Sequence, residues 1–229
     1  MPRRIKVWFQ GYWQILFKKL RMETKDIILA LSKFSAATLH ESMGKYGDLP
    51  SGIKPISPKM KVCGTAYPVK TMPCDNTILH RAYAYAKPGD VLVVDCSGYY
   101  EAGYWGDLMS LGAKTQGIAG LVIDGCVRDA DDIEAMNFPI FSRGLCIKGT
   151  GKYGDGILNA PIIIGNWTIH PGDFIVGDRD GVVVVPQEKA VDTIKNAKAR
   201  EEKEASVRKE LLAGKTSIQI YGWDKKFGF

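Results

Sequence analysis

The sequence predicts a mixed α/β protein with a mixed, barrel-like sheet at its core. Three observations predict it. Short, continuous, β-branched runs (VLVVD at 91–95, GLVID at 120–124, VVVVP at 182–186) suit strands covered on both faces. In the first half of the chain such runs alternate with segments of helical spacing, and in the second half they follow one another closely. The 229 residues are 45% hydrophobic and 24% charged, values of an ordinary globular chain that exclude collagen, coiled coil and wholesale disorder.

Residues 1–21 form a basic aromatic prefix. Arg3, Arg4, Lys6, Lys18, Lys19 and Arg21 lie there without any Asp or Glu, interleaved with Trp8, Phe9, Tyr12, Trp13 and Phe17. Three readings stand: an amphipathic arm for a membrane surface or nucleic acid, a transit peptide lacking the expected serines, or residues ahead of the native start at Met22. Removing those six cations from the 31 leaves 25 against 25 acidic residues, so the formal charge of +6 belongs to the prefix. No nucleic-acid partner is expected for the neutral remainder.

Residues 22–186 read as the core. Ile27, Ile28, Leu31, Phe34, Ala37, Thr38 and Leu39 give residues 24–43 a helical face. The Pro-, Gly- and Ser-rich residues 45–60 read as loop, and a strand follows over 61–69. Asp75 and Asn76 are candidate caps for a helix over 75–86. Helices are expected near 106–117 and 130–136, with a strand over 139–143. Two Pro-Gly-Asp corners, 88–90 and 171–173, introduce strands, because Gly and Asp supply the positive φ and local hydrogen bonds of tight turns. Residues 187–229 read as a helical, charged C-terminal extension projecting from the sheet body.

The odd count of five widely spaced cysteines contains no CxxC pair, so a structural zinc site is not indicated and a reducing, cytoplasmic compartment is expected. No apolar run approaches the roughly 20 residues that cross a bilayer, so no membrane span is expected. GxGxxG after a strand, GxxxxGK[ST] and GxSxG are absent, as is a glycine-rich adenosyl-binding turn that a methyltransferase would need.

Two segments carry chemistry: GYWGDLM at 103–109, which opens a helix, and GLVIDGCVRD at 120–129, which leaves a buried strand. Ligands in α/β sheets bind outside the carboxyl ends of strands, so both can line one pocket. The N–H groups of Gly106, Asp107, Leu108 and Met109, at a helix start, are donors for a small carboxylate. Arg128 offers a planar fork for the same anion. Asp129 supplies a hard oxygen for Mg²⁺ or Mn²⁺, which keep most positions for water and substrate. A 2-oxo acid suits such a centre, its carbonyl polarised by the cation. Against this stands the plainer reading of Arg128-Asp129 as a surface pair and Asp107 as a helix-turn residue.

Asp107, twenty intervening residues, then Arg128-Asp129, together with Asp75-Asn76, KPGDVLVVD, GDRDGVVVVP and the terminal IYG, resemble one family across about residues 22–223. It is that of the regulator of ribonuclease E activity A (RraA) and the class II 4-hydroxy-4-methyl-2-oxoglutarate and 4-carboxy-4-hydroxy-2-oxoadipate aldolases. The resemblance implies an RraA-like α/β/β/α sandwich, homotrimers or homohexamers with sites near subunit interfaces, and a divalent metal. It implies substrate binding at Gly106, Asp107, Leu108, Met109 and Arg128, and metal at Asp129.

The extension after Pro186 and the SIQIYGW ending look like the aldolase branch, where an acid from a neighbour's C-terminal helix reaches the site. Glu201, Glu202 and Glu204 are the candidates. The expected reaction is retro-aldol cleavage of a 4-hydroxy-2-oxo acid to pyruvate, with oxaloacetate decarboxylation as a companion. Arg128 would stabilise developing charge and Asp107 would hold a water near the cation. His40, His80 and His170 lie outside both motifs, and His80 and His170 read as structural. The alternative is a non-catalytic regulator that binds a ribonuclease or another protein.

Overall fold

The structure, a computed structural model, describes residues 22–228; the prefix reading falls outside them. Helix α1 (Thr24–Leu31) and helix α2 (Ala36–Ser42) replace the single helix expected over 24–43. Two serines break it. The Ser32 hydroxyl donates back to Leu29 O at 3.0 Å, and Ser35 Oγ accepts Thr38 N at 3.0 Å to start the second helix.

There follow β1 (Lys54–Pro55), β2 (Val62–Thr71), α3 (Thr77–Tyr85), β3 (Asp90–Asp95), α4 (Asp107–Thr115), β4 (Gly120–Asp124), β5 (Cys126–Val127), α5 (Ala130–Ala135), β6 (Ile140–Ser142) and β7 (Gly144–Leu145). The second half holds β8 (Gly156–Leu158), the β9 (Ile162–Ile164) and β10 (Trp167–Ile169) hairpin, β11 (Phe174–Asp178) and β12 (Gly181–Val185). Helices α6 (Ala190–Leu212), α7 (Ser217–Tyr221) and α8 (Trp223–Phe227) end the chain.

The main sheet runs β1-β6-β4-β3-β2-β11-β12, with β8 added on β2. Strands β2, β3, β4 and β6 are parallel neighbours, as their alternation with helices requires. Strands β11 and β12 join antiparallel. The segment expected as loop over 45–60 proves to be a strap between the sheet's two ends. Leu49 N donates to Val182 O at 3.0 Å and Val184 N to Gly47 O at 2.8 Å. The same segment then enters β1 against β6. The barrel is thereby nearly closed, and edge strand β12 is covered. Composition hides the strap because its contacts to β12 are made by backbone.

Successive residues of one strand face different layers. Val91 and Val93 point into the barrel with Ile175, Val182 and Val184. Leu92 and Val94 point outward under α3, α4 and α5, among Leu79, Met109 and Ile133. On the other side Phe174, Val176, Val183 and Val185 lie under α1, α2 and the start of α6, with Leu31, Leu39 and Ala197. Two helix–sheet interfaces flank one sheet–sheet interface, which is the α/β/β/α sandwich. Both Pro-Gly-Asp corners close alike: Asp90 Oδ2 accepts Lys87 N and Asp173 Oδ2 accepts His170 N, each at 2.8 Å. Burial pushes the Asp173 carboxyl up, and its backbone donors from His170 and Gln187 only partly offset this.

Gly47 has φ +87°, and a β-carbon there would stand 2.1 Å from Val184 O. Gly44 has φ +74° with nothing within 4 Å. Gly47→Ala should therefore cost more than the roughly 1 kcal/mol of backbone strain expected for Gly44→Ala, reaching about 3 kcal/mol as the strap is pushed off β12. Urea-unfolding midpoints of the two variants compare them directly; equal losses would remove the strap from the closure.

Candidate functional site

The chain between β3 and α4 runs alongside β5 and so carries the helix start to the end of β4. Gly103 bridges to Cys126, Tyr104 N donates to Cys126 O at 3.0 Å, and Arg128 N donates to Trp105 O at 2.9 Å. Tyr104 and Trp105 anchor this run from beneath, both fully buried. The Trp105 indole donates to Ser110 Oγ at 2.8 Å, and the Tyr104 hydroxyl donates to Tyr99 O while accepting Cys74 N. Burial is the main cause that pushes the Tyr104 hydroxyl far above its usual range, so it stays a donor. Aromatic anchoring thus fixes a polar loop.

Gly106 caps α4 in extended backbone, and the ladder begins with Ser110 N on Gly106 O at 3.0 Å. The N–H groups of the first turn precede that ladder. Asp129 caps α5 from the left-handed region, φ 58°, which an aspartate tolerates better than most residues. Its Oδ2 takes Asp107 N at 3.3 Å and lies 3.3 Å from Arg128 Nε. No partner holds Oδ1 among the described residues. A β-carbon on Gly106 would stand 2.3 Å from Oδ2, so this closeness requires glycine. The structure brings together all five sequence-selected positions from 106 to 109 and 128, with Asp129 beside them.

A cleft of about 330 Å³ opens over the first five, lined further by Asn76, His80, Gly103, Thr150 and Lys152, while Asp129 lines a second hollow with Arg128, Leu145, Cys146 and Ile147. Sequence reasoning left Lys152 out and gave Asn76 only a capping role. In the structure Asn76 stands at the cap of α3, yet its side chain makes no cap bond. Its amide donates to Tyr104 O at 2.8 Å and its carbonyl oxygen accepts Lys152 Nζ. Asp75 instead accepts Thr77 N at 2.8 Å and Tyr153 N. Burial raises the Asp75 carboxyl, but backbone donors from Tyr153, Thr77 and Gly154 outweigh it and the net shift is downward. The structural reading of His80 changes: this ring lines the cleft. His40 and His170 do not line it.

The family described as RraA-like, Aldolase/RraA, matches residues 36–184. The chain belongs to the RraA-like family. A protein of Halalkalibacterium halodurans, provisionally named a 4-hydroxy-4-methyl-2-oxoglutarate aldolase, is 35% identical over 196 residues, covering 86% of this chain and 93% of that one. An uncharacterised protein from Pseudomonas syringae has a solved structure with TM-score 0.76 at 31% identity, over 87% of this chain and 96% of that chain. Streptomyces coelicolor RraAS2, described as an unusual member of the RNase ES inhibitor RraA family, gives TM-score 0.72 at 30% identity, over 82% and 98%. Aldolases and RraA-type inhibitors are therefore the two activities to weigh.

Within this RraA-like chain, the donor set for a cation is sparse. Among the described residues no three His, Cys, Asp or Glu side chains converge. Asp129, with an oxygen unclaimed by protein and a side chain one-third exposed, fits a hard cation that keeps most of its own water. The same geometry fits no zinc centre of structural type. The described helices include none long and apolar enough to cross a membrane. All five cysteines are free thiols; burial pushes Cys63 up to about 12 and raises Cys96 strongly.

Burial and then the nearby Lys152 ammonium lower the His80 pKa from the ordinary 6.5. A base with a depressed folded pKa gives stability that is full above its unfolded value and is lost as pH falls through the window below about 6.5. Titration of the His80 ring by NMR should give a midpoint below that value, and Lys152→Gln should raise it. A midpoint unmoved by that substitution would show that the ammonium does not reach the ring.

Proposed function

We propose that this chain cleaves a 4-hydroxy-2-oxo acid of the 4-hydroxy-4-methyl-2-oxoglutarate or 4-carboxy-4-hydroxy-2-oxoadipate type to pyruvate and a second oxo acid. The observation that carries it is the meeting of the Arg128 guanidinium, the Asp129 carboxylate and the first turn of α4, with Arg128 and that turn lining one cleft. The aldolase name of the Halalkalibacterium relative supports the same reading.

The substrate carboxylate lies against the first-turn N–H groups of α4, whose positive end favours an anion. Asp107 holds the water that takes the C4 hydroxyl proton. As the C3–C4 bond breaks, its electron pair passes to C3 and on to the C2 oxygen, and a proton returned to C3 gives pyruvate. Arg128 lies against that oxygen and stabilises its growing charge. Asp129 would hold Mg²⁺ or Mn²⁺, which supplies Lewis-acid polarisation of the 2-oxo carbonyl. The same residues serve decarboxylation of oxaloacetate, in which loss of CO₂ leaves an electron pair at the same carbon.

The proposal includes assembly of the chain into a trimer or hexamer. Helix α6 is rooted in the layer opposite α4, and in the proposed assembly its glutamates meet a cleft on another copy. Glu204 is held within its own helix by Arg200 at 2.9 Å and Arg208 at 3.3 Å. Glu201 and Glu202 are exposed and have no such partner among the described residues, which makes them the better candidates to serve a neighbour. The RNase ES inhibitor family of the Streptomyces structure supports the second reading, a regulator that binds a ribonuclease or another protein without turnover.

Pyruvate release from the two aldol substrates and oxaloacetate, with Mg²⁺ or Mn²⁺ and after chelation, separates the readings. Arg128→Ala should lower kcat by roughly 10²- to 10³-fold, the usual effect of removing one oxyanion donor. Asp129→Ala should abolish metal-dependent turnover. Variants as active as the parent would overturn the assignment, and metal-independent capture of a ribonuclease without pyruvate release would favour the regulator.

A further inference from the structure

We infer that Ser110 is a positioning residue for Asp129. Its hydroxyl carries a hydrogen-bond relay from the buried Trp105 indole, through one peptide group, to the Asp129 carboxylate, and so keeps the second carboxylate oxygen free for a cation. This rests on the reading of Asp129 as the cation's ligand and adds what holds that ligand. The Trp105 indole donates to Ser110 Oγ at 2.8 Å, and Ser110 Oγ donates onward to Gly106 O at 3.0 Å. Gly106 O and Asp107 N belong to the same planar peptide group. Asp107 N in turn donates to Asp129 Oδ2 at 3.3 Å.

Chemistry fixes the direction of each bond. An indole N–H can only donate, so the hydroxyl oxygen accepts it, and the hydroxyl proton is left for the carbonyl, which can only accept. Gly106 O also takes Ser110 N at 3.0 Å, so one residue supplies two donors to this carbonyl. Charge drawn onto the oxygen makes the N–H of the same peptide a stronger donor, and each link strengthens the next. Trp105 and Ser110 are both fully buried, so bulk water does not compete for their bonds. The indole itself is held by rings: it lies parallel to Phe138 with centroids 6.4 Å apart and meets Tyr83 edge-on at 5.9 Å. Aromatic packing under α4 thereby sets the orientation of a carboxylate at the surface.

Mn²⁺ binding to the full chain without substrate, read from the paramagnetic resonance signal of the free ion, tests this. Ser110→Ala should weaken binding by about tenfold, the lower end of the range for groups behind a metal ligand. Trp105→Phe, which keeps an aromatic ring and removes the indole N–H, should give a smaller loss in the same direction. Thr115 makes the same backward bond as Ser110, to Leu111 O at 2.8 Å, at the far end of α4. Thr115→Ala should leave the affinity at its parent value. Unchanged affinity in both relay variants, or an equal loss in Thr115→Ala, would overturn the inference.

Should the parent hold no Mn²⁺ that Asp129→Ala releases, the metal reading fails by itself. The Asp107 amide proton then still decides the relay. An upfield move of its resonance in Ser110→Ala, in the same direction as in Asp129→Ala, supports it; a resonance that stays in place in Ser110→Ala, or moves downfield, refutes it.

Discussion

Asp129 Oδ2 stands where a side chain on residue 106 would begin, 2.3 Å from the position of its β-carbon, and the geometry of the cleft depends on that vacancy. Because Gly106 leaves the space, the carboxylate reaches the first N–H of α4, and the caps of two helices, α4 and α5, meet at one oxygen. The negative group gains from the positive end of α4 as well as from the guanidinium beside it. Both neighbours claim the same oxygen, which leaves the other for a cation or water. An extra methyl at residue 106 would thus strike the proposed substrate and metal positions together. The same contact explains the left-handed backbone at Asp129: only a chain that turns sharply after Arg128 can start α5 and still direct its cap residue toward α4.

Some of this was open to inspection in the sequence. The parallel strands were legible because a strand covered on both faces must be apolar at every position, as Val91–Val94 and Leu121–Ile123 are. The candidate site was legible where its parts lie in two short motifs at strand and helix ends. What escaped was whatever depends on backbone pairing or on distant chain segments. The strap at 47–49 binds β12 through main-chain groups that have no compositional signature. Two serines with hydroxyl bonds to local backbone split a helix whose apolar spacing runs on undisturbed from Ile27 to Leu39. Lys152 and Asn76 are far apart in the chain, and Asn76 had a sufficient local explanation as a cap. The only available signal was that Asp75 could do the capping alone, leaving an amide with no local duty.

The division into layers bears on assembly. The residues of the proposed site lie on the α3–α5 side, while α6, which carries the exposed glutamates, is rooted on the α1–α2 side by Ala190, Thr193 and Ala197. Past Ala197 the helix has no fully buried residue, and its charges satisfy one another along its surface, as Arg200, Glu204 and Arg208 do. A helix of that kind gains little from its own core beyond its first turns. The chain then ends in Leu211, Leu212, Ile218, Tyr221, Trp223 and Phe227, all exposed on the single chain, with Tyr221 and Trp223 stacked at 4.9 Å. The cleft rim carries exposed Leu108, and the hollow beside Arg128 and Asp129 carries exposed Leu145 and Ile147.

The ending follows a helix rooted in the layer opposite the one that carries the rim. Contact between copies removes both from water if the ending of one meets the rim of the next. That arrangement is heterologous: it joins unlike surfaces and closes into a ring only at a fixed rotation. A two-fold dimer would instead make the contact twice, the ending of each copy meeting the rim of the other. The proposed trimer makes it once between each pair of copies, and the proposed use of Glu201 or Glu202 by a neighbour goes with it. A hexamer built as two such rings would make the ring contact and the contact between rings with different surfaces.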